Sequence, residues 1–426
     1  MEVPSIAPQS FASSSLLETP PDIAAYPDAI REFLRLNQEA AREFTSPQRD
    51  AERRRFLEEN LFRPSASLCI DGRVQDFPAA IGVPTGVLEL FRSAGAKTGV
   101  ESLMHMQRTL NSILSSAEFR TRAGAPDRRV MMRFQTVHYS HTSPTTASCA
   151  AWGHDTDAAT RQMSHVSHEL NRAWPGKMIA LPVLVDTDFD AITVIGPNGR
   201  FGTRELLDRP GDPEIAHLLG LVIDRLKKLF PSDWGPLQAF DQRYRDAFHA
   251  ELARCLLRNL DFVRGIIRQG RPTEMLDHNE KLAFIGRHAD WVSDHNSVFL
   301  IDDTASPAEI TIQLEIAMKY IAKNILLKVL PTGSRDWVIP IVFNVPHVGF
   351  DQDATRVYVR AVTERVLLPA IQSAAPRVCE WLLGSHGIPK SLQTGALSVD
   401  LTEFADRVRI CMSVSRKETR QFIPFT

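Results

Sequence analysis

Residues 129–139 read RVMMRFQTVHY, and this run decides the fold. It is nearly continuous in β-branched, aromatic and long apolar residues, as a strand buried on both faces requires. Alternation puts Val130, Met132, Phe134, Thr136 and His138 on one face. A polar imidazole at the end of such a strand is held by a packed sheet. Working outward, Ser67-Leu68-Cys69-Ile70 is a short apolar run that stops at Asp71-Gly72-Arg73, a strand entering a loop. Thr85–Phe91 reads as a strand or short helix. Ile179–Val185 and Ala191–Ile195 read as strands, with a turn at Gly196-Pro197-Asn198-Gly199.

Helical periodicity fills the spaces between. It marks Asp28–Glu43, Ala51–Asn60, Val100–Leu114 and His154–Ala173, then Pro213–Leu229, Gln238–Gln269 with room for a break near Gly265, Pro307–Leu330 and Asp353–Ala374. Val338–Val345 is a late buried strand, and Ser398–Thr402 and Arg407–Val414 are closing strands. Strands alternating with helices predict an α/β fold with a largely parallel sheet. The charged stretch AERRRFLEEN at 51–60 reads as a solvated helix face. Residues 1–26, rich in Ser and Pro, read as a mobile arm.

Composition narrows the function classes. The 426 residues are 43% hydrophobic and 23% charged, an ordinary globular mix. Lys and Arg total 49 against 51 Asp and Glu, so no basic excess points to nucleic acid or an anionic membrane. The longest apolar stretches, Met178–Val185 and Val338–Val345, fall far short of the ~20 residues of a spanning helix. Met1-Glu2-Val3-Pro4 opens no secretory signal, and the expected location is cytoplasmic. Five cysteines do not make a disulfide framework. In a reducing compartment, a cysteine in a suggestive setting is a ligand or nucleophile.

That setting is Cys69-Ile70-Asp71-Gly72-Arg73, followed by His138 and Cys149. Two thiolates and one imidazole form a three-ligand zinc site with a fourth position open, the pattern of catalytic zinc. Thiolate and imidazole favour zinc over magnesium or calcium. Arg73 and Asp71 match as a bidentate pair. His138 is preferred to His141, which lies past the strand beside Pro144. The plainer alternatives are two small buried cysteines, a loop ion pair, or a structural zinc site completed by His141 or His154.

The set resembles the β-class carbonic anhydrases. Cys69-x-Asp71-x-Arg73 is similar to their signature, and Phe91-Arg92-Ser93-Ala94-Gly95-Ala96 to the segment that follows it. The ordinary class spaces its His and Cys three apart; His138 and Cys149 stand eleven apart, which resembles the carboxysomal shell carbonic anhydrases. Val185–Ile192 (VDTDFDAI) is similar to a segment of that subclass. The resemblance implies a β-carbonic-anhydrase-like mixed or parallel sheet with flanking helices. It implies a zinc domain plus a degenerate second copy forming an internal pseudo-dimer, after a short helical N-terminal segment. The boundaries read as 1–55 for the arm and N-terminal helices, 56–290 for the zinc-binding domain and 291–426 for the degenerate copy. It also implies interconversion of CO2 and bicarbonate by a zinc-bound hydroxide that Asp71 and Arg73 orient, with Asp71 on the metal in a resting state as a second arrangement.

Further partners follow from the resemblance: a homodimer or larger homo-oligomer, and association with a carboxysome or Rubisco. Only 68 residues precede Cys69, short for the packaging region of the subclass, which argues against encapsulation. The rivals are a carbonyl sulfide or carbon disulfide hydrolase on the same scaffold, and a non-catalytic zinc-stabilised scaffold protein.

Other motifs carry less. Asp186, Asp188 and Asp190 imitate a calcium loop, but Ala191 and Pro197 stand where it needs Gly and Glu. Gly196–Gly202 lacks the Lys-Ser/Thr of a phosphate loop. His165 and His168 read as a helix face, and Cys255, Cys379 and Cys411 as core.

Overall fold

The computed structural model describes residues 46–74, 76–97, 130–145, 148–208, 214–270, 280–285, 298–301, 306–329, 338–346, 365–366, 369–370, 373–374, 377, 397–404 and 407–415. The expected helices at 28–43 and 100–114 lie outside these residues, as does most of 353–374.

The first sheet has six strands in the order β2-β1-β3-β4-β5-β6. These are β1 Phe62–Cys69, β2 Glu89–Ser93, β3 Val130–Tyr139, β4 Met178–Asp186, β5 Ala191–Gly196 and β6 Gly199–Gly202. The first four run parallel, and β5 and β6 join antiparallel as a hairpin. Every residue of β3 but Tyr139 is buried, and all of β4 is. The first sheet is thus largely parallel with an antiparallel edge, because the turns at Thr187–Asp190 and Pro197–Asn198 are too short for a crossover.

Helices flank the sheet: α1 Pro47–Glu59, α2 Phe77–Ala80, α3 Thr156–Ala173, α4 Thr203–Leu207, α5 Ile215–Leu229, α6 Gly235–Gln238 and α7 Gln242–Gln269. Pro47 sits in the first turn of α1, where its missing N–H costs nothing; Ser46 caps that turn. α3 starts at Asp155, whose carboxylate accepts the Ala158 N–H at 2.8 Å. It buries Ala159, Met163, Ser167 and Leu170, one helical stripe, against the face carrying Val137 and Leu184. α7 closes the other face with Phe248, Leu252, Leu256 and Leu260. No break occurs near Gly265: the helix runs through, and a methyl group there would meet nothing within 4 Å.

The second sheet has the order β10-β11-β9-β7-β8, built from β7 Leu282–Ile285, β8 Val298–Ile301, β9 Val338–Pro346, β10 Leu397–Phe404 and β11 Arg407–Ser415. β8, β7 and β9 are parallel; β11 and β10 add antiparallel. Neither β7 nor β8 is foreseen by the sequence reading. α8, Pro307–Val329, packs Leu314, Met318 and Ile321 into the same buried cluster as Phe134 and Leu252. Among the described residues, no helix is long and apolar enough to cross a membrane.

Candidate metal centre

Parallel strands in register deliver the first two candidate ligands. Thr136 Oγ1 donates to the Ser67 carbonyl at 2.6 Å, and Ser67 pairs with Gln135. Two residues further along their own strands, at the C-terminal ends, stand His138 and Cys69. The third, Cys149, opens the turn Ala150–Trp152. The ligand-capable atoms of Cys69, His138 and Cys149 all lie within 4.8 Å of one another, and all three side chains are buried. Among the described residues this is the group of His, Cys, Asp and Glu that is able to hold a metal ion.

Surrounding backbone fixes the two sulfurs. Gly95 donates its N–H to Cys69 Sγ at 3.2 Å. Trp152 Nε1 donates to the Gly95 carbonyl at 2.9 Å, so the turn after Cys149 is tied to the turn that holds Cys69. Gly95 has φ +69°, and a Cβ there would come within 2.6 Å of Trp152 Nε1. Glycine is needed on both counts. Arg92 Nη1 donates to the Cys69 carbonyl at 3.2 Å.

The two thiols are hydrogen-bonded to each other, and their acidities move apart. Hydrogen bonding with Cys149 holds Cys69 well below the usual thiol range, and the same contact pushes Cys149 well above it. Burial works to lower the His138 pKa, but the charges of Asp71 and Cys69 outweigh it and raise it. Neither ring nitrogen of His138 has a hydrogen-bond partner, although both are buried. Buried polar atoms without partners are rare. Two sulfurs and an orphaned imidazole at this spacing fit a tetrahedral zinc ion that keeps one open position.

Asp71 and Arg73 sit directly on this group. Arg73 Nε donates to Asp71 Oδ1 at 3.0 Å and Nη2 to Oδ2 at 2.7 Å; the Arg73 backbone N–H adds a third bond at 2.9 Å. Asp71 Oδ2 is 3.7 Å from His138 Nε2. Both residues of the pair are buried. Burial works to lower the Arg73 pKa, but Asp71 outweighs it, and the guanidinium stays charged.

His141 joins neither group. It lines a cleft of about 880 Å³ with Tyr139, Thr156 and Arg204, and none of the three candidate ligands faces that cleft. The acidic run 186–190 has a different task from calcium binding. Asp188 Oδ1 accepts from Ser140 Oγ at 2.8 Å and Oδ2 from the Thr142 N–H at 2.7 Å. It thereby secures the start of the insertion between His138 and Cys149. Asp186 Oδ2 pairs with Arg204 Nε at 3.0 Å. His154, weighed as a fourth ligand, turns its Nδ1 to the Ser148 carbonyl at 2.7 Å. The sequence reading missed Gly95 and Asp188 as supports; the positive φ and the loop bonds become visible only in three dimensions.

Residues 53–207 match the model of the carboxysome shell carbonic anhydrase catalytic domain. Over that segment the chain is similar to the catalytic domain of that family. No curated protein matches the chain. The carbonic-anhydrase-type segment runs from within α1 to the end of α4, so it contains Cys69, Asp71, Arg73, His138 and Cys149. The Cys69–His138–Cys149 group is positioned for metal ligation as in a β-class site.

Proposed function

We propose that the chain is a zinc-dependent carbonic anhydrase that interconverts CO2 and bicarbonate. The observation that carries the reading is one juxtaposition: two cysteines and a histidine at ligand spacing, with an Asp–Arg pair 3.7 Å from the histidine. Cys69, His138 and Cys149 would hold the ion through two sulfurs and an imidazole nitrogen. Zinc bound there supplies a water activated near neutral pH for attack on CO2. Asp71, fixed by three hydrogen bonds from Arg73, presents its carboxylate toward the same point and can accept a proton from a group arriving there. Arg73 holds that carboxylate in one orientation through its rigid fork. The buried walls keep bulk water from competing for these bonds.

The second sheet is read as a degenerate copy of the first, the two forming an internal pseudo-dimer. In support, both contain a parallel trio in the order second-first-third: β2-β1-β3 and β8-β7-β9. Chains are expected to pair further into homo-oligomers in the cytoplasm, with CO2 and bicarbonate as the small-molecule partners. Association with a carboxysome is the extension the family suggests.

Stopped-flow CO2 hydration with elemental analysis tests the proposal. About one zinc per chain and catalysed hydration are expected. Zinc with hydrolysis of carbonyl sulfide or carbon disulfide but no CO2 hydration would replace it with the hydrolase reading. Zinc with neither activity would leave a zinc-stabilised scaffold.

A further inference from the structure

Glu280 lies outside the family-matched segment, two residues ahead of β7, and is fully buried. Its Oε1 accepts the Gly72 N–H at 3.1 Å. Gly72 stands between Asp71 and Arg73, so this bond grips the loop at the midpoint of the pair. Glu280 is itself anchored: Asn324 Nδ2 of α8 donates to its carbonyl at 3.0 Å. A second bond crosses the same boundary nearby, from the Leu300 N–H of β8 to the Ile70 carbonyl at 3.0 Å. Residues 70 and 72, between Cys69 and Arg73, thus have their backbone held from the second sheet. The charge of Glu280 also acts on the Arg73 guanidinium, beside that of Asp71.

We propose that Glu280 is a positioning residue for the Asp71–Arg73 pair, so that the half built on the second sheet completes the site of the first. The inference rests on the carbonic anhydrase reading for its catalytic consequence, though not for its geometry. The Asp–Arg pair gains its direction from a short loop after β1, and a loop free at Gly72 would let the carboxylate wander. A placement error of about an ångström in a catalytic group is enough to cost rate. The hydrogen bond is the operative feature, since a buried N–H without an acceptor forces the loop to rearrange.

The test uses the full-length zinc-loaded protein with Glu280→Ala, Glu280→Gln and Glu280→Asp. Amide exchange in the peptide containing residues 70–74 is read beside zinc content, kcat and KM. Glu280→Ala is expected to exchange roughly tenfold faster or more at this loop. Its kcat should fall at least tenfold, with zinc content and KM unchanged. Glu280→Gln, which keeps an acceptor oxygen, should restore both exchange and kcat to within about threefold of wild type. If the alanine variant does not fold, Glu280→Asp decides: its carboxylate is drawn back by one methylene and should reproduce the loss of kcat. Unchanged exchange in the alanine variant, faster exchange with unchanged kcat, or failure of the glutamine variant to restore kcat overturns the proposal. A wild-type protein without CO2 hydration overturns the functional reading alone, and the exchange comparison then decides Glu280 on its own.

Discussion

Glu251 offers a quantitative test of how the site's scaffold is held. It lies on α7 and is 6% exposed. Its two carboxylate oxygens accept the N–H groups of Leu61 and Phe62 at 2.7 and 3.1 Å, fixing the start of the strand that ends at Cys69. Burial pushes its pKa from 4.5 up to about 7, against the lowering effect of those two bonds. The folded state therefore binds more protons than the unfolded state between these values. The stabilising contribution is full below pH 4.5 and is lost as pH rises toward 7. A shift of this size, at 1.36 kcal/mol per unit, removes about 2–3 kcal/mol between pH 5 and pH 8. Glu251→Gln cannot titrate. Its amide turns an NH2 toward one of the two N–H donors, which costs about 1–3 kcal/mol at low pH. Urea unfolding of both proteins at equal zinc loading, at pH 5 and pH 8, is the assay. Wild type should lead at pH 5, and the difference between the two should move by about 2–3 kcal/mol in favour of the variant by pH 8. Parallel pH dependence in the two proteins would refute burial as the dominant force on this carboxyl.

Three further outcomes are expected. Cys69→Ala, Cys149→Ala and His138→Ala should each lose zinc, measured by elemental analysis, whereas His141→Ala should keep it; metal loss confined to His141→Ala would move the imidazole ligand. Asp71→Asn and Arg73→Ala should keep zinc and lose CO2 hydration by tenfold or more in kcat, roughly the effect of removing a positioned proton acceptor; wild-type rates in both would reduce the pair to an ordinary ion pair. The two glycines should behave oppositely: Gly265→Ala gains about 0.5–1 kcal/mol in urea unfolding because it lies inside a helix with space around it, while Gly95→Ala weakens zinc binding by disturbing the N–H that Cys69 accepts.

What the sequence reveals follows from where the information sits. β3 is legible because nine consecutive residues share one buried environment, and alternation within it separates Met132 and Phe134 from Met131 and Val137. Cys69, Asp71 and Arg73 are legible because their chemistry is local. β7 and β8 are not, since four apolar residues each carry too little periodicity to tell strand from helix. Glu280 and Glu251 are invisible for a different reason: their partners stand 208 and 189–190 residues away, and a lone glutamate carries no sign of the backbone N–H it will meet. The helix runs on through Gly265, where the sequence left room for a break, because glycine weakens a helix by less than the tertiary packing of α7 contributes.

The parallel pairing of β1 with β3 has a kinetic consequence. Phe62 meets Val130, and β1 has no neighbour nearer in sequence than β2, which begins at Glu89. The N–H groups of Leu61 and Phe62, at its entry, wait for Glu251. Contacts of such sequence separation close large loops before they are rewarded, which slows folding. During synthesis, at about 5–20 residues per second, the strand bearing Cys69 stays unfinished for roughly ten seconds or more after it leaves the ribosome. Throughout that interval its cysteine is an ordinary accessible thiol. The order of assembly therefore leaves Cys69 open to oxidant and stray metal until its neighbours have emerged.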